Sequence, residues 1–452
     1  MTVRAAPKGG APPRLPPLPI QKHTFDSGLA LAVVERRELP IVDVDLVIRA
    51  GAALDAPSMA GRALMTAEMV DEGTASRSAI QIADDIDYLG GDLHVSAGFD
   101  STVLSLHVLA DRLPAALDVL ADVALAPAFP SAEFDRKKRE RLTALLQDHD
   151  EARIIANKAL ALGIFGPAHP YGQPAGGTHT SLGSVTLEQV RDFYNRNFSP
   201  SNAFMIAVGD IDFTDFVQEI AGRFAHWENG ARIQAAGVPT ASLPPSTRVL
   251  LVDKPGAAQA EIRVGHIGPA RDSSDYFPLV VLNTILGGAF TSRLNLRLRE
   301  EMGVTYGASS KFGWRKSGGV FWASSAVDTE AAAESVGVIL NEMRQLRDAE
   351  LAASEVRRAV QYLAYGLPRA FESTDDIAAH LREQLLYGLT DDYWATYVDR
   401  VLAVTPQQVK EVADRHLQPG RAVAVVVADR SAVETKLNAL GIGEVIITEV
   451  PM

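Results

Sequence analysis

There is no cysteine among the 452 residues. Thiol nucleophiles, disulfides and cysteine-ligated zinc are therefore excluded. Histidine is sparse and scattered: of ten, no two lie three or four positions apart. A helical pair of metal-binding histidines needs that spacing, because residues one turn apart share a face. No apolar run approaches the roughly 20 residues that cross a bilayer as a helix. Positive charge is in deficit, with 43 Lys and Arg against 56 Asp and Glu and a net charge of −13. That balance argues against a general nucleic-acid or anionic-membrane surface. A Ser-His-Asp elbow and a phosphate-binding loop are also missing. Gly287-Gly288 stands ahead of a helix, but no P-loop lysine accompanies it, so it is a weak anion-site signal.

What remains is the composition of a soluble globular protein, 47% hydrophobic and 22% charged. The length implies more than one domain. Residues 1–18 are rich in Pro, Gly and Ala and read as a flexible arm. They lack the apolar core of a signal peptide. They equally suit the leader of an exported protein whose signal was removed, so cytoplasm and periplasm both fit. Residues 230–247, with Pro239, Pro244 and Pro245, read as a semi-stiff linker.

The linker cuts the chain nearly in half, and the halves repeat. Val185–Asp210 and Val404–Asp429 align without a gap, matching at Thr186/Thr405, Gln189/Gln408, Val190/Val409, Arg196/Arg415, Pro200/Pro419 and Asp210/Asp429. Each copy reads as a Thr-capped helix, with Glu188 or Gln408 near the cap, then a Pro turn and an apolar strand. Upstream, each half runs strand, helix, helix, strand. Alternation in Asp43–Arg49 and Thr102–Val108 suits sheets with one face covered. The predicted fold is α+β: two homologous domains, 19–229 and 248–452, each a mostly antiparallel sheet with helices on one face.

Two segments carry candidate chemistry. In Ser58–Thr74, Ser58 reads as the N-cap of a helix and Gly73 as its stop. Glu68 and Glu72 share a face and Asp71 lies near; they suit either acid/base work or a solvated acidic helix end. His169 and His179, in a turn-rich stretch, read as surface groups. The second segment is Ser292–Tyr306. Here a helix carries Arg299 in its last turn, Gly303 stops it, and the next strand is expected to hold Tyr306. A fixed guanidinium and a phenol suit gripping a carbonyl oxygen or a developing oxyanion. The alternative is a surface arginine among Arg293, Arg297 and Arg299, and a tyrosine packed on a sheet.

The duplicated halves, GRALMTAEMVDEGT, ILGGAFTSRLNLRLREEMGVTYG and the VTxxQV repeat resemble the M16 zinc metallopeptidases, the pitrilysin and mitochondrial-processing-peptidase group. The resemblance runs from about Leu18 to the end. It implies the M16 fold and a peptidase role. Active members carry H-x-x-E-H on the first-half helix and a later glutamate ligand. Aligned on Gly73-Thr74, these positions hold Leu64, Ala67, Glu68 and, near the distal ligand, Ala144. Leu64 cannot bind zinc and Ala67 cannot activate water.

The family's Arg/Tyr pair is kept at Arg299 and Tyr306, implying substrate binding and transition-state stabilisation. Gly287 and Gly288 resemble the substrate-touching loop of the processing peptidases. The combination resembles the non-catalytic subunit of bacterial two-chain M16 enzymes. It implies no cofactor in this chain, zinc on a homologous H-x-x-E-H partner, a heterodimer, and an extended peptide substrate. A catalytically silent structural or peptide-binding scaffold of the same fold is the alternative.

Overall fold

The computed structural model describes residues 10–228 and 237–449. Residues 1–9 of the expected arm and 230–236 of the expected linker lie outside them. Two six-stranded sheets organise the chain. The first is built from β1 (Gln21–Thr24), β2 (Ala30–Glu35), β3 (Ile41–Ile48), β4 (Asp92–Ala97), β5 (Thr102–Leu109) and β6 (Ala203–Gly209), in the order β1-β2-β6-β3-β5-β4. The second uses β7 (Arg248–Asp253), β8 (Gln259–Gly268), β9 (Ala308–Gly313), β10 (Gly319–Asp328), β11 (Val423–Ala428) and β12 (Glu444–Thr448), in the order β12-β7-β11-β8-β10-β9. Only β2–β6, β7–β11 and β7–β12 pair in parallel. The sheets are thus mostly antiparallel, as predicted, and β4 and β9 are equivalent edges.

The repeat has a local cause. Thr186 and Thr405 each accept a hydrogen bond from the backbone N–H three residues on, and the Oε1 atoms of Gln189 and Gln408 accept one from the cap residue's own N–H. The partner of Thr186 is therefore Gln189, not Glu188. The helices Leu187–Asn197 and Pro406–His416 then feed the wholly buried strands β6 and β11.

Alternate residues of each sheet face two different environments. In the first sheet, Leu46, Ile48, Leu104, Leu106 and Met205 pack under the first-half helices: α1 (Arg62–Val70), α2 (Ala79–Tyr88) and α3 (Leu113–Leu125). Val47, Val103, Phe204 and Ile206 point the other way, yet they are buried too. Their cover is the helix Thr374–Leu386 from the second half, through Ile377, Ala378 and Leu381. Asp43 and Asp45, polar positions of the alternating strand, lie on this face and are buried. Asp45 accepts from Arg382 Nη1 at 2.6 Å and from Ser105 Oγ at 2.6 Å.

The reciprocal exchange is made by α5 (Ala152–Phe165), which follows α4 (Ser131–Gln147). Its Ile155, Ala159, Leu160 and Ile164 pack on Val252, Val423, Val425 and Val427 of the second sheet. Gly163 makes the approach possible, since a Cβ there would meet Leu250 Cδ1 and Val423 Cγ1 at 2.8 Å. Each half therefore covers the open face of the other's sheet with one helix.

The described part of the arm is not free. Arg14 pairs with Asp399 at 2.8 Å, and Leu15, Leu18 and Ile20 pack against the second-half core. Residues 237–247 carry no regular structure, and His169 Nε2 lies 2.8 Å from the Pro239 carbonyl oxygen. His169, read as a surface group, is buried, with Nδ1 accepting from the Tyr171 N–H at 3.0 Å. His179 is exposed.

Candidate functional site

The positions aligned with the metal motif lie on α1 and the face of α4 opposite it. The helix starts at Arg62, with Gly61 as N-cap at φ +95°; Ser58 instead belongs to a short 3-10 turn, Pro57–Met59. Gly61 is left-handed, where glycine is favoured, and a Cβ there would meet the Gly176 carbonyl oxygen at 2.7 Å. Ala67 is fully buried. Glu68 faces α4, where Arg141 Nη1 lies 3.5 Å from Glu68 Oε1. Glu68 Oε2 is buried without a hydrogen-bond partner, and burial raises the Glu68 carboxyl above its usual range. Glu72 is held by Lys137 Nζ at 2.6 Å and by Arg136. Burial pushes Asp71 up to about 6.

This arrangement does not fit a zinc ion. Lys137, Arg141 and Ala144 follow one face of α4 at helical spacing. Arg141 and Lys137 already pair with Glu68 and Glu72, and Ala144 offers no ligand. A Cβ on Gly176 would meet Arg141 Nη2 at 2.7 Å and Leu64 Cδ2 at 3.4 Å, so the guanidinium and the leucine together fill the space. Among the described residues, no group of three or more His, Cys, Asp or Glu side chains is placed to hold a metal.

Arg299 and Tyr306 belong to a different construction. The helix Tyr276–Asn283 widens into a π turn over Thr284–Gly288, and a second π segment spans Asn295–Glu301. Such turns are rare and frequent at functional sites. Gly287 has a packing reason: a Cβ would meet the Ser310 backbone nitrogen on β9 at 2.4 Å. Gly288 is exposed, and the three atoms nearest to a Cβ there would all belong to Asn283, the closest being Nδ2 at 2.8 Å. The turn delivers Phe290, 68% exposed.

The three arginines of the second segment differ sharply. Arg293 makes two 2.7 Å hydrogen bonds to Glu355. Arg297 is held by Glu301 at 2.5 Å and Glu342 at 3.3 Å. Among the described residues, Arg299 has as ion partner only its neighbour Glu300, at 3.7 Å, and lies instead over the Phe290 ring at 4.3 Å. Gly303, at φ +67°, ends the segment as expected. Tyr306 does not sit on a strand: β9 begins at Ala308, and Tyr306 occupies the bend before it, 93% exposed. Among the described residues no hydrogen bond joins it to Arg299.

Buried Asn295 ties these pieces together. Its Nδ2 donates to the carbonyls of Ala289 (3.3 Å) and Ala308 (2.8 Å), and its Oδ1 accepts from the Ala308 N–H at 2.9 Å. One side chain thus fixes the backbone beside Phe290 and beside Tyr306. Thr305 Oγ1 adds a 2.6 Å bond to the Ala326 carbonyl, so Tyr306 is displayed from an anchored bend. Neither Asn295 nor Phe290 stood out in the sequence. The only cue for Phe290 was an aromatic residue two positions after a glycine pair; Asn295 offered none.

Two profiles of one family match the chain. "Insulinase (Peptidase family M16)" matches residues 31–167 and "Peptidase M16 inactive domain" matches 184–363, together well over half of the sequence. The chain belongs to the M16 peptidase family. An uncharacterized zinc protease of Mycobacterium tuberculosis is 27% identical over 409 residues, covering 90% of this chain and 92% of the relative. One from Streptomyces coelicolor is 24% identical over 404 residues, covering 87% and 86%. The crystal structure of a peptidase M16 inactive domain from Pseudomonas fluorescens superposes with a TM-score of 0.85 at 26% identity, covering 91% of this chain and 98% of that one. A protease from Helicobacter pylori has the same fold, with a TM-score of 0.84 at 18% identity, covering 90% and 99%. This M16 chain therefore has the non-catalytic form of the fold: relatives are named zinc proteases, while its own motif positions hold Leu64, Ala67 and Glu68.

Proposed function

We propose that the chain is the non-catalytic subunit of a two-chain M16 peptidase. It supplies Arg299 and Tyr306 to a site whose zinc and general base are carried by a homologous partner. The observation that carries this reading is the contrast between two places. At the motif positions, Arg141 stands against Glu68. On the second half, among the described residues Arg299 alone of Arg293, Arg297 and Arg299 has no carboxylate hydrogen bond, only Glu300 at 3.7 Å, and Tyr306, seven residues on, is 93% exposed.

In the assembled enzyme, Arg299 donates to a substrate carbonyl and Tyr306 Oη donates to the same oxygen as charge develops on it. Donors fixed before reaction need no reorganisation, which is why such groups act on the barrier more than on binding. Gly287 and Gly288 place the turn against which the peptide runs. The substrate is an extended peptide, held by strand addition at a sheet edge.

The test is reconstitution. The isolated chain is expected to cleave no peptide, and addition of the H-x-x-E-H partner is expected to restore cleavage. Arg299→Ala and Tyr306→Phe should each lower turnover while leaving co-elution with the partner intact. Undiminished activity in both variants would remove the proposed role and leave the scaffold reading.

A further inference from the structure

Between α5 and the second sheet lies a cavity of about 390 Å3. Its walls come from both halves of the chain. Leu160 and Phe165 of α5 face Val320 and Trp322 of β10, and Ser309 and Lys311 of the edge strand β9 form one side. The cations on its walls set it apart.

Arg153 and Lys311 are exposed at its rim, and neither forms an ion pair among the described residues. Arg315 closes one end. Its guanidinium is stacked on Phe99 at 3.9 Å and Tyr171 at 4.2 Å, and its Nη1 is buried without a hydrogen-bond partner. Burial pushes the Arg315 guanidinium down to about 10, as expected of a cation without a contacting carboxylate. Arg263 also lines the space, but its Nη1 is satisfied by Glu261 at 2.7 Å and its Nε by Asn157 at 2.8 Å. Two exposed cations without an ion pair among the described residues, and Arg315 with only the through-space pull of Asp100, thus line one cavity of mixed apolar and polar walls, in a chain whose net charge is −13.

The Lys311 ammonium and the Arg153 guanidinium are both exposed at the rim, so their donors are free to meet an anion there, with the buried Arg315 charge behind them. The adjacent strand supplies the geometry. On β9, Ser309 and Lys311 are two residues apart and so share a face, and β9 ends its sheet. A chain laid along β9 repeats its own side chains at the same spacing.

We propose that this cavity is a recognition site for the carboxylate of an extended acidic peptide, with an adjoining apolar side chain seated against Trp322 and Phe165. The inference rests on reading the chain as a peptide-handling subunit, and it names a preference within that substrate class. The carboxylate comes from an Asp or Glu side chain or from the peptide's C-terminus; the chemistry at Lys311, Arg153 and Arg315 is the same.

The test is fluorescence anisotropy with the full-length chain and labelled ten-residue peptides. One carries alternating Glu and Leu with a free C-terminus. A second is the same peptide amidated, and a third replaces every Glu by Gln and is amidated. Binding of the first is expected to exceed that of the third by at least tenfold and to weaken as salt rises. Loss on amidation alone assigns the C-terminal carboxylate; retention assigns the side chains. The double variant Arg153→Glu, Lys311→Glu changes only exposed positions and should weaken the acidic peptide at least tenfold. The exposed control Arg139→Glu should leave binding unchanged. Equal binding of the acidic and neutral peptides, or an unaffected double variant with wild-type circular dichroism, would overturn the proposal. The readout needs neither partner nor turnover. Failure of reconstitution with a positive binding result would sink the two-chain reading and spare the cavity; the reverse result would do the opposite.

Discussion

The guanidinium of Arg299 lies 4.3 Å above the ring of Phe290. Phe290 is itself 68% exposed, so the ring holds the cation from below without burying it. A guanidinium held by a ring rather than a carboxylate keeps its donors free for a ligand. Arg299→Ala is therefore expected to lower turnover of the reconstituted enzyme by roughly 10²-fold, with KM changed little. Arg299→Lys should recover only part of this, because an ammonium lacks the planar fork. Phe290→Leu should give a smaller loss in turnover than Arg299→Ala, as expected of a positioning residue. Steady-state kinetics on the three variants checks the order; Phe290→Leu falling below Arg299→Ala would contradict it.

Asn295 makes a second prediction. Its side chain holds the Ala289 carbonyl and both backbone groups of Ala308. Asn295→Ala leaves buried backbone groups unpaired and should destabilise the second half by roughly 2 kcal/mol or more. Asn295→Asp keeps the acceptor for the Ala308 N–H but removes the donor, so its loss should be of similar size. Thermal unfolding measures both. Proteolysis should cut such variants near Phe290 and Tyr306 first, because those bends lose their common tie. Unchanged melting temperatures would refute the role given to Asn295.

The motif positions allow a constructive experiment. Leu64→His with Glu68→His places two imidazoles one helical turn apart on α1. Arg141, 3.5 Å from Glu68 in the wild type, nevertheless remains against that face, and Ala144, at the aligned distal position on α4, offers no ligand. The double variant is expected to retain no stoichiometric zinc after dialysis. Adding Arg141→Ala and Ala144→Glu removes the opposing charge and supplies a carboxylate, and is expected to bring zinc toward one equivalent by elemental analysis. Equal zinc contents in the two proteins would mean that Arg141 does not stand in the metal's place.

The sequence carried the fold's repeat well and its long-range packing poorly. Thr186-x-x-Gln189 and Thr405-x-x-Gln408 were legible because a capping box is written in four consecutive residues. The exchange of α5 and the helix Thr374–Leu386 was not, because nothing local tells an amphipathic helix which sheet it covers. The alternation in Asp43–Arg49 consequently implied one covered face where the fold covers both. At the site, Arg299 stood out by its place in a motif. What separates it from Arg293 and Arg297 is the position of Glu355, Glu342 and Glu301, and two of those come from elsewhere in the chain. Arg141 was invisible as the neighbour of Glu68 for the same reason.

His266 gives the fold a pH dependence of known sign. It is 1% exposed on β8, stacked on Phe321, with Nδ1 2.9 Å from the Ile267 carbonyl oxygen and Nε2 accepting from the Gln418 N–H at 3.3 Å. Burial lowers its pKa to about 4. The unfolded chain binds this proton near pH 6.5, the folded chain only near 4, so between those values the unfolded state holds more protons. Stability from this group is complete above about pH 6.5 and is lost on acidification toward pH 4. The full loss is about 3 kcal/mol. Asp71 and Asp55, both raised by burial, work in the opposite direction, so the wild-type profile mixes several groups. His266→Gln isolates the imidazole: whatever its stability at pH 7, it should lose less than wild type between pH 7 and 4.5. Urea unfolding at those two pH values decides the matter, and parallel losses in both proteins would rule His266 out as the acid-sensitive group.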